Sequence, residues 1–352
     1  MSATEQTHGS VQDARLYPLS YVDYILRFFQ GRAIPYWLIY LLLFFLQSFV
    51  NLLLAWSTGW LPLWTIDRIL LLYPVWQWMP LAIMTFLNRT ALRAIQAFRP
   101  LLDLDDAAVE RLKIEFTTIP LRGVLFTTLF WAAFYLGIIV FYPDAYTMTG
   151  MDPITKRITI VEGLFSFGIG GVMYFHSLRQ LILIHRAVKQ VRQFNLFALE
   201  PVYAFSRLTS WTGISWILML GFNFLFFPFV LAPELMLSYV VLMLSFALAA
   251  FLLPLRVVNQ QLVHEKRRHL AEHQRRVEAM LARLRHGLDQ GNLTEMEGIN
   301  EALAGLDAER KILDDIPTWP WRTATLTGFV SAAILPVILL VIQLVIERWF
   351  SG

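Results

Sequence analysis

The chain has 352 residues, of which 57% are hydrophobic and only 16% are charged, whereas soluble domains average about 25% charged residues. Apolar runs of membrane length alternate with charged segments, and this pattern indicates an integral membrane protein. The absence of cysteine excludes disulfides, thiolate metal sites and cysteine nucleophiles, and a net charge of +3 is too small to indicate a nucleic-acid partner.

Residues 1–34 are predicted to form a cytoplasmic N-terminal segment without a convincing signal peptide. The first apolar run begins only at Pro35 and is long enough to span, with no clear small-residue cleavage site. Before it, Ser20 and Asp23 have the spacing of a helix start, followed by aromatic and aliphatic side chains on one side. We expect a short amphipathic helix that lies flat on the inner membrane surface.

Seven apolar segments are each long enough to cross a hydrocarbon core, which takes about 20 helical residues. The second is the least secure, because Pro74, Gln77 and Pro80 interrupt it; if it is only re-entrant, the number of spans is six. The predicted fold class is all-α: a polytopic α-helical membrane protein with about seven transmembrane helices. The predicted spans are 35–57, 67–88, 122–142, 158–180, 209–232, 234–256 and 323–346.

Basic residues set the predicted orientation, because cytoplasmic loops carry an excess of Lys and Arg. Seven spans place 25 of the 29 basic residues on the side of the N-terminus. The N-terminus is therefore predicted to be cytoplasmic and the C-terminus external, in the plasma (inner) membrane. The four residues on the opposite side are Arg68, Lys156, Arg157 and Arg348.

The predicted domains are a six-helix transmembrane region, a helical hairpin and a final span. The transmembrane region covers 35–256, with cytoplasmic loops 89–121 and 181–208 into which several helices continue. Segment 257–316 is predicted to form a cytoplasmic hairpin with leucines at helical and heptad spacing. It would pack against its own second arm and the other extensions, or pair as a coiled coil between subunits.

Segment 317–352 is predicted to contain an interfacial elbow and the seventh span. The prolines disfavour helix at the residue before each of them, and the tryptophans suit the headgroup layer. One hypothesis is that the elbow couples the hairpin to the seventh span; the other is that it is a fixed anchor. The candidate elbow residues are Pro317, Trp319, Pro320, Trp321 and Arg322.

Polar and small residues inside the predicted spans are candidates for a hydrated path or for helix packing. Glu162 lies near the outer end of the fourth span, and no acid is predicted at mid-membrane, where a proton- or cation-coupled transporter often needs one. Pro336 is expected to kink the seventh span. The candidates are Gln47, Asn51, Gln77, His176, Asn223, Gly328, Ala332, Pro336 and Gln343.

No motif indicates catalysis, a cofactor or a metal site. His269 and His273 are one helical turn apart, but the surrounding basic residues would repel a cation. We therefore predict no catalytic, cofactor-binding or metal-binding residues and a protein that is not an enzyme. The same basic residues lie close to the inner membrane face, where they would attract anionic lipid headgroups or serve only to set the topology.

Three functions are compatible with these features. The first is a homo-oligomeric channel-like or sensory protein, in which the seventh span lines a path or contacts another subunit. The others are a transporter of a neutral or apolar small molecule, and a membrane scaffold whose cytoplasmic helices bind a partner or lipid. Seven spans, an inner N-terminus and a cytoplasmic helix before the last span form a plan that is similar in architecture alone to insect chemoreceptor channels.

The topology can be tested with single cysteines, which the native chain lacks. We expect Ser2→Cys and Ser351→Cys to react with an impermeant maleimide from opposite sides of sealed vesicles. Reaction of both from the same side would refute the seven-span topology and favour six spans.

Overall fold

Every regular element that the structure describes is an α-helix or a short 3-10 turn. The structure is a computed structural model. It describes residues 18–30, 34–142, 150–191, 195–197, 199–226, 233–290 and 293–350. The helices, in chain order, are α1 (Tyr21–Gln30), α2 (Tyr36–Ser57), α3 (Ile69–Phe98), α4 (Asp106–Thr117), α5 (Leu121–Phe141), α6 (Pro153–Lys189), α7 (Glu200–Phe226), α8 (Pro233–Gln290), α9 (Leu293–Asp315) and α10 (Thr323–Phe350).

Six helical stretches are long and apolar enough to cross a membrane, which confirms the prediction of an all-α polytopic membrane protein. The second, α3, continues for 30 residues through Pro74 and Pro80, so the prolines do not divide it. In α10 the described apolar part, Thr323–Leu335, is shorter than a span. The seventh crossing therefore stays a prediction.

Glycines let α6 pack closely against aromatic side chains of its neighbours. A Cβ added at Gly163 would overlap the Tyr135 ring, and one at Gly171 would overlap the Trp131 ring. At Gly170 the added atom would meet Trp76 of α3 at 2.9 Å. Without a hydrophobic force between helices in lipid, such close contacts are a main source of helix association.

The last part of α8 and all of α9 form a hairpin that extends from one end of the bundle, here called the hairpin end. Leu262 and Leu313 are buried, and Glu309 of α9 faces the His273 ring at 3.3 Å. Toward the tip, Leu281 is 38% exposed and Leu288 is 55% exposed.

The two arms of the hairpin differ in what they contact: Leu262 of the first arm belongs to the core of the bundle, and the His269 ring lies 6.4 Å from the Phe197 ring. Among the described elements, α9 packs closely against α8 alone. The faces of α9 that point away from α8 carry charged side chains that stay exposed to water, such as Lys311 and Asp307. The result is a two-helix arm with leucines left open at its tip.

The glycine packing predicts a contrast between two substitutions. Gly171→Ala should lower the free energy of unfolding in detergent by about 1–3 kcal/mol, because the rigid Trp131 ring must move. Gly137→Ala is the control: its Cβ meets nothing within 4 Å, and alanine stabilises a helix interior by roughly 0.5–1 kcal/mol. Equal thermal stability of the two variants would contradict the packing of α5 on α6.

Candidate functional site

Two amide side chains of α2 converge on one carboxylate of α6. The Gln47 amide donates from Nε2 to Oε1 of Glu162 at 2.7 Å, and the Asn51 amide donates from Nδ2 to Oε2 at 2.8 Å. Each carboxylate oxygen thus accepts one N–H, and Glu162 is half-buried. We call Gln47, Asn51 and Glu162 the amide–carboxylate cluster.

Independent partners fix the orientation of both amides in this cluster. The indole Nε1 of Trp78, which can only donate, contacts Oε1 of Gln47 at 2.6 Å, so the other amide atom facing Glu162 is the nitrogen. Nδ2 of Asn51 also donates to the backbone oxygen of Leu70 at 3.3 Å, which can only accept. Both amides therefore present N–H groups to the carboxylate.

The carboxylate lies deeper than its sequence position suggests. Gln47 is halfway along the 22-residue α2, and Asn51 is one turn nearer to the Ser57 end. Glu162 bridges these two positions, whereas the sequence places it near the end of the fourth predicted span. Depth is set by the neighbouring helix, which position along α6 alone does not reveal.

Two hydrogen bonds join Glu162 to the middle of the helix bundle. Its backbone oxygen accepts from Nε2 of Gln77 at 3.1 Å and from Oγ of Ser166 at 2.8 Å. Ser166 Oγ also lies 3.0 Å from the backbone oxygen of Tyr73. Gln47, Asn51 and Gln77, three of the candidates from sequence, are thus brought together around Glu162.

Beside this cluster lies a cavity of about 250 Å³ with mainly aromatic walls. Gly170 and Gly171 of α6 form one side, where the missing side chains let the Trp76 and Trp131 rings lie close to the helix backbone. The polar groups include Asn223, whose Nδ2 donates to Tyr239 Oη at 3.1 Å and whose Oδ1 accepts from Trp76 Nε1 at 3.2 Å. The aromatic lining consists of Tyr73, Trp76, Trp131, Phe134, Phe167, Tyr174, Trp216 and Tyr239.

The exposure of two lining residues, one on α5 and one on α8, indicates that the aromatic cavity opens at the side of the bundle between these helices. Phe134 of α5 is 46% exposed and Leu242 of α8 is 52% exposed, although both line the cavity. Within the described residues, α5 and α8 are not a closely packed helix pair. In a membrane this opening would face lipid rather than water.

A second polar network forms hydrogen bonds with backbone oxygens at the end of α4, at the hairpin end of the bundle. Asn88 Oδ1 accepts from His176 Nε2 at 2.7 Å and from Gln180 Nε2 at 3.1 Å, and Asn88 Nδ2 donates to the Thr117 oxygen at 3.3 Å. Gln180 also donates to the Phe116 oxygen at 3.0 Å. The fully buried His176, a candidate from sequence, therefore belongs to a structural network apart from the aromatic cavity.

Arg179 and Asp23 also form hydrogen bonds with the backbone at and just after the end of α4. The Arg179 guanidinium donates to the backbone oxygens of Glu115 and Thr118, the latter at 2.8 Å. The Asp23 carboxylate, in α1, accepts the Ile119 N–H at 3.1 Å. Burial raises the pKa of Asp23, and hydrogen bonds from Ser20 and Ile119 oppose that rise.

The elbow residues pack against both α7 and α8. Trp321 stacks on Phe251 of α8 at 5.0 Å between ring centroids, and Pro320 is buried. Arg322 forms an ion pair with Glu200 of α7. Trp319 stacks on Trp321 at 4.5 Å and is 41% exposed.

The end of α9 that precedes the elbow is held by α8. Lys266 Nζ donates to the backbone oxygens of Asp314 at 2.7 Å and Ile316 at 2.9 Å. Asn259 Nδ2 donates to the Thr318 oxygen at 3.0 Å, next to the exposed Pro317. The elbow thus has fixed contacts with two helices, which both of its hypothetical roles require.

The candidates in α10 do not join either site. Gly328 is exposed, and a Cβ there would meet nothing within 4 Å; Ala332 is half-buried. The helix continues through Pro336 and Gln343, but their side chains lie outside the described part of the structure. The kink expected at Pro336 stays a prediction.

Sequence reasoning did not select Glu162, Asn88 or Gln180 as site residues, nor the aromatic wall of the cavity. Glu162 had a usable signal, because an acid inside an apolar span marks a functional site by default. The aromatic wall had no such signal, since aromatic residues are common in every predicted span. Comparison with protein-family models, curated proteins and solved structures finds no match.

The network at the end of α4 predicts the effect of Asn88→Leu. Removing the amide leaves the buried His176 Nε2 and the Thr117 oxygen without this partner, at a cost of about 1–3 kcal/mol for each group. We expect a clearly lower thermal unfolding temperature in detergent. Asn300→Leu, at an exposed position of α9, is the control; equal losses in both variants would contradict a structural role for this network.

Proposed function

We propose that this membrane protein binds a neutral, mainly apolar small molecule in the aromatic cavity and transports it. The observation that carries the proposal is the lateral opening of that cavity between α5 and α8. A molecule dissolved in the bilayer reaches such an opening without crossing water. Among the predicted functions this is the transporter, and it takes precedence here over the channel-like or sensory protein.

The chemistry of the cavity walls supports a neutral ligand. Among the described residues, the lining contains no Asp, Glu, Lys, Arg or His, so nothing there compensates a full charge. Three indole rings, two phenyl rings and three phenol rings offer a large apolar surface, and Asn223 and Ser166 supply a few polar atoms. This composition is typical of small-molecule sites, and its volume of about 250 Å³ suits a ligand smaller than a typical drug.

The same lining supports binding without catalysis. Acid–base and nucleophilic catalysis need a titratable or activated group within hydrogen-bond reach of the substrate. The lining provides only the phenols of Tyr73, Tyr174 and Tyr239 among titratable groups. We therefore place the proposed function with transport rather than with enzymes.

A homo-oligomeric channel-like or sensory assembly is the second candidate. The observation that favours it is the hairpin tip, where Leu281 and Leu288 stay open to solvent. Self-association through the hairpin would cover them. A particle of three or more chains in detergent would support this candidate, and a monomer would support the transporter. Under both, we propose a cytoplasmic N-terminus in the plasma membrane, as the basic residues indicate.

The cavity can be tested by filling it from its opening. We expect Leu242→Trp to abolish the saturable photolabelling of cavity residues by a neutral alkyl-aromatic diazirine, because the added ring occupies the opening. Labelling is measured by peptide mass spectrometry in lipid vesicles, with and without excess unlabelled alkyl-aromatic compound. We expect at least a roughly tenfold loss of competable label, equivalent to about 1.4 kcal/mol.

Val241→Trp is the matched control. Val241 precedes Leu242 in α8, is 57% exposed and does not line the cavity. This variant should keep the competable label. Equal labelling of the parent and both variants, or label that excess compound does not reduce, would overturn the proposed binding site.

A further inference from the structure

We infer that Glu162 is the proton-binding site of this protein, and that its protonation releases α2 from α6. The two N–H groups from Gln47 and Asn51 stabilise the ionised carboxylate, at 2.7 and 2.8 Å. Binding of one proton neutralises it.

The polarity of the cluster selects a proton over a metal ion. A hard cation needs several oxygen ligands around it. Here Gln47 and Asn51 are oriented by Trp78 and Leu70 so that nitrogens face the carboxylate. Two N–H groups repel a metal ion, whereas a proton needs only a single lone pair of Glu162.

Protonation changes what the carboxyl group can do for its neighbours. An ionised carboxylate only accepts hydrogen bonds, whereas the protonated group has one O–H donor. The protonated oxygen accepts an amide N–H more weakly than the ionised oxygen does, so the hydrogen bond from Gln47 or from Asn51 weakens. The charge that strengthened both bonds is lost as well.

The contact between α2 and α6 depends strongly on these bonds, because α2 otherwise packs mainly against α3. The apolar window of α2 is only 28% buried, against 67% for α3. Its other polar links to the bundle include Tyr40 with Thr85 of α3 at 3.2 Å, and Thr58, just after α2, with Thr155 of α6 at 3.3 Å. Weakening the cluster therefore loosens the middle of α2 from α6, while its packing on α3 and the Thr58–Thr155 contact remain.

No charged side chain faces the Glu162 carboxylate in the described contacts of its neighbours. The helix α2 presents amides, α3 presents Gln77, Trp78 and the phenol of Tyr73, and α5 presents the phenol of Tyr135. On α6 itself Lys156 and Arg157 are exposed and more than one turn earlier. At the start of α3, Asp67 and Arg68 precede Leu70, whose backbone oxygen shares the Asn51 amide with Glu162, and neither has a described contact with the carboxylate.

The path to the aromatic cavity is short and polar. Ser166 donates to the Glu162 backbone and lines the cavity, and Tyr73, whose oxygen Ser166 also contacts, lines it too. A shift of α6 at Glu162 thus reaches the wall of the cavity. Coupling of proton binding to transport rests on the proposed function, whereas proton binding by Glu162 does not.

The test measures the α2–α6 distance as a function of pH. Spin labels are placed at Leu46→Cys and Phe165→Cys, which are 60% and 62% exposed and lie in a chain without other cysteines. In lipid vesicles the parent should show one distance distribution at high pH and a broader or longer one at low pH. Glu162→Gln should show the low-pH distribution throughout, and Glu301→Gln, at an exposed hairpin position, should behave as the parent.

A second measurement keeps the inference testable if Glu162→Gln does not fold. Gln47→Leu removes one N–H donor from the anion, so the midpoint of the distance change should move to higher pH. Infrared difference spectra should show a protonated carboxyl band that appears with the same midpoint. A pH response that is unchanged in either variant, or the absence of any response in the parent, would overturn the inference.

The two proposals fail in different ways. A pH response at Glu162 without competable photolabelling of the cavity would leave the proton site in place and remove the transporter. Competable labelling in a protein whose α2–α6 distance does not change with pH would support the proposed binding site and overturn the proton site. Labelling that saturates and changes with pH in the parent but not in Glu162→Gln would support both and their coupling.

Discussion

A polar group left unpaired in a hydrocarbon core is costly, and this constraint explains most of the polar contacts between the helices. The end of α4 shows it most clearly. Backbone oxygens from Glu115 to Thr118 receive hydrogen bonds from Asn88, Arg179 and Gln180, which come from α3 and α6. The helices of the bundle are thus joined where the backbone would otherwise lack partners.

The same constraint gives the cluster at Glu162 its significance. Every amide around it has a defined orientation, and the carboxylate receives one N–H on each oxygen. Structural amides inside membranes usually bond to each other or to the backbone. A half-buried carboxylate that accepts from two donors costs more free energy to bury than a neutral amide. A function in binding and releasing a proton would explain why such a group is present.

Close packing of aromatic rings on glycine produces both rigidity and space. Trp131 and Tyr135 lie against Gly171 and Gly163, so α5 and α6 approach closely. The rings of Trp76, Tyr174 and Trp216 then surround a volume that no side chain fills. The aromatic cavity is therefore a consequence of how the bundle packs, and its side opening follows from the separation of α5 and α8.

The sequence by itself determined the helical membrane class, the approximate spans and the charge asymmetry, because hydrophobic length and basic loops are local properties of the chain. It also supplied Gln47, Asn51 and Gln77 as candidates, since amides stand out in apolar segments. Only the tertiary structure decided that these three meet Glu162, that aromatic rings enclose a cavity, and that the second arm of the hairpin packs closely on the first arm alone. Each of these depends on which helices are neighbours, and contacts between residues more than 80 positions apart leave no mark in local composition.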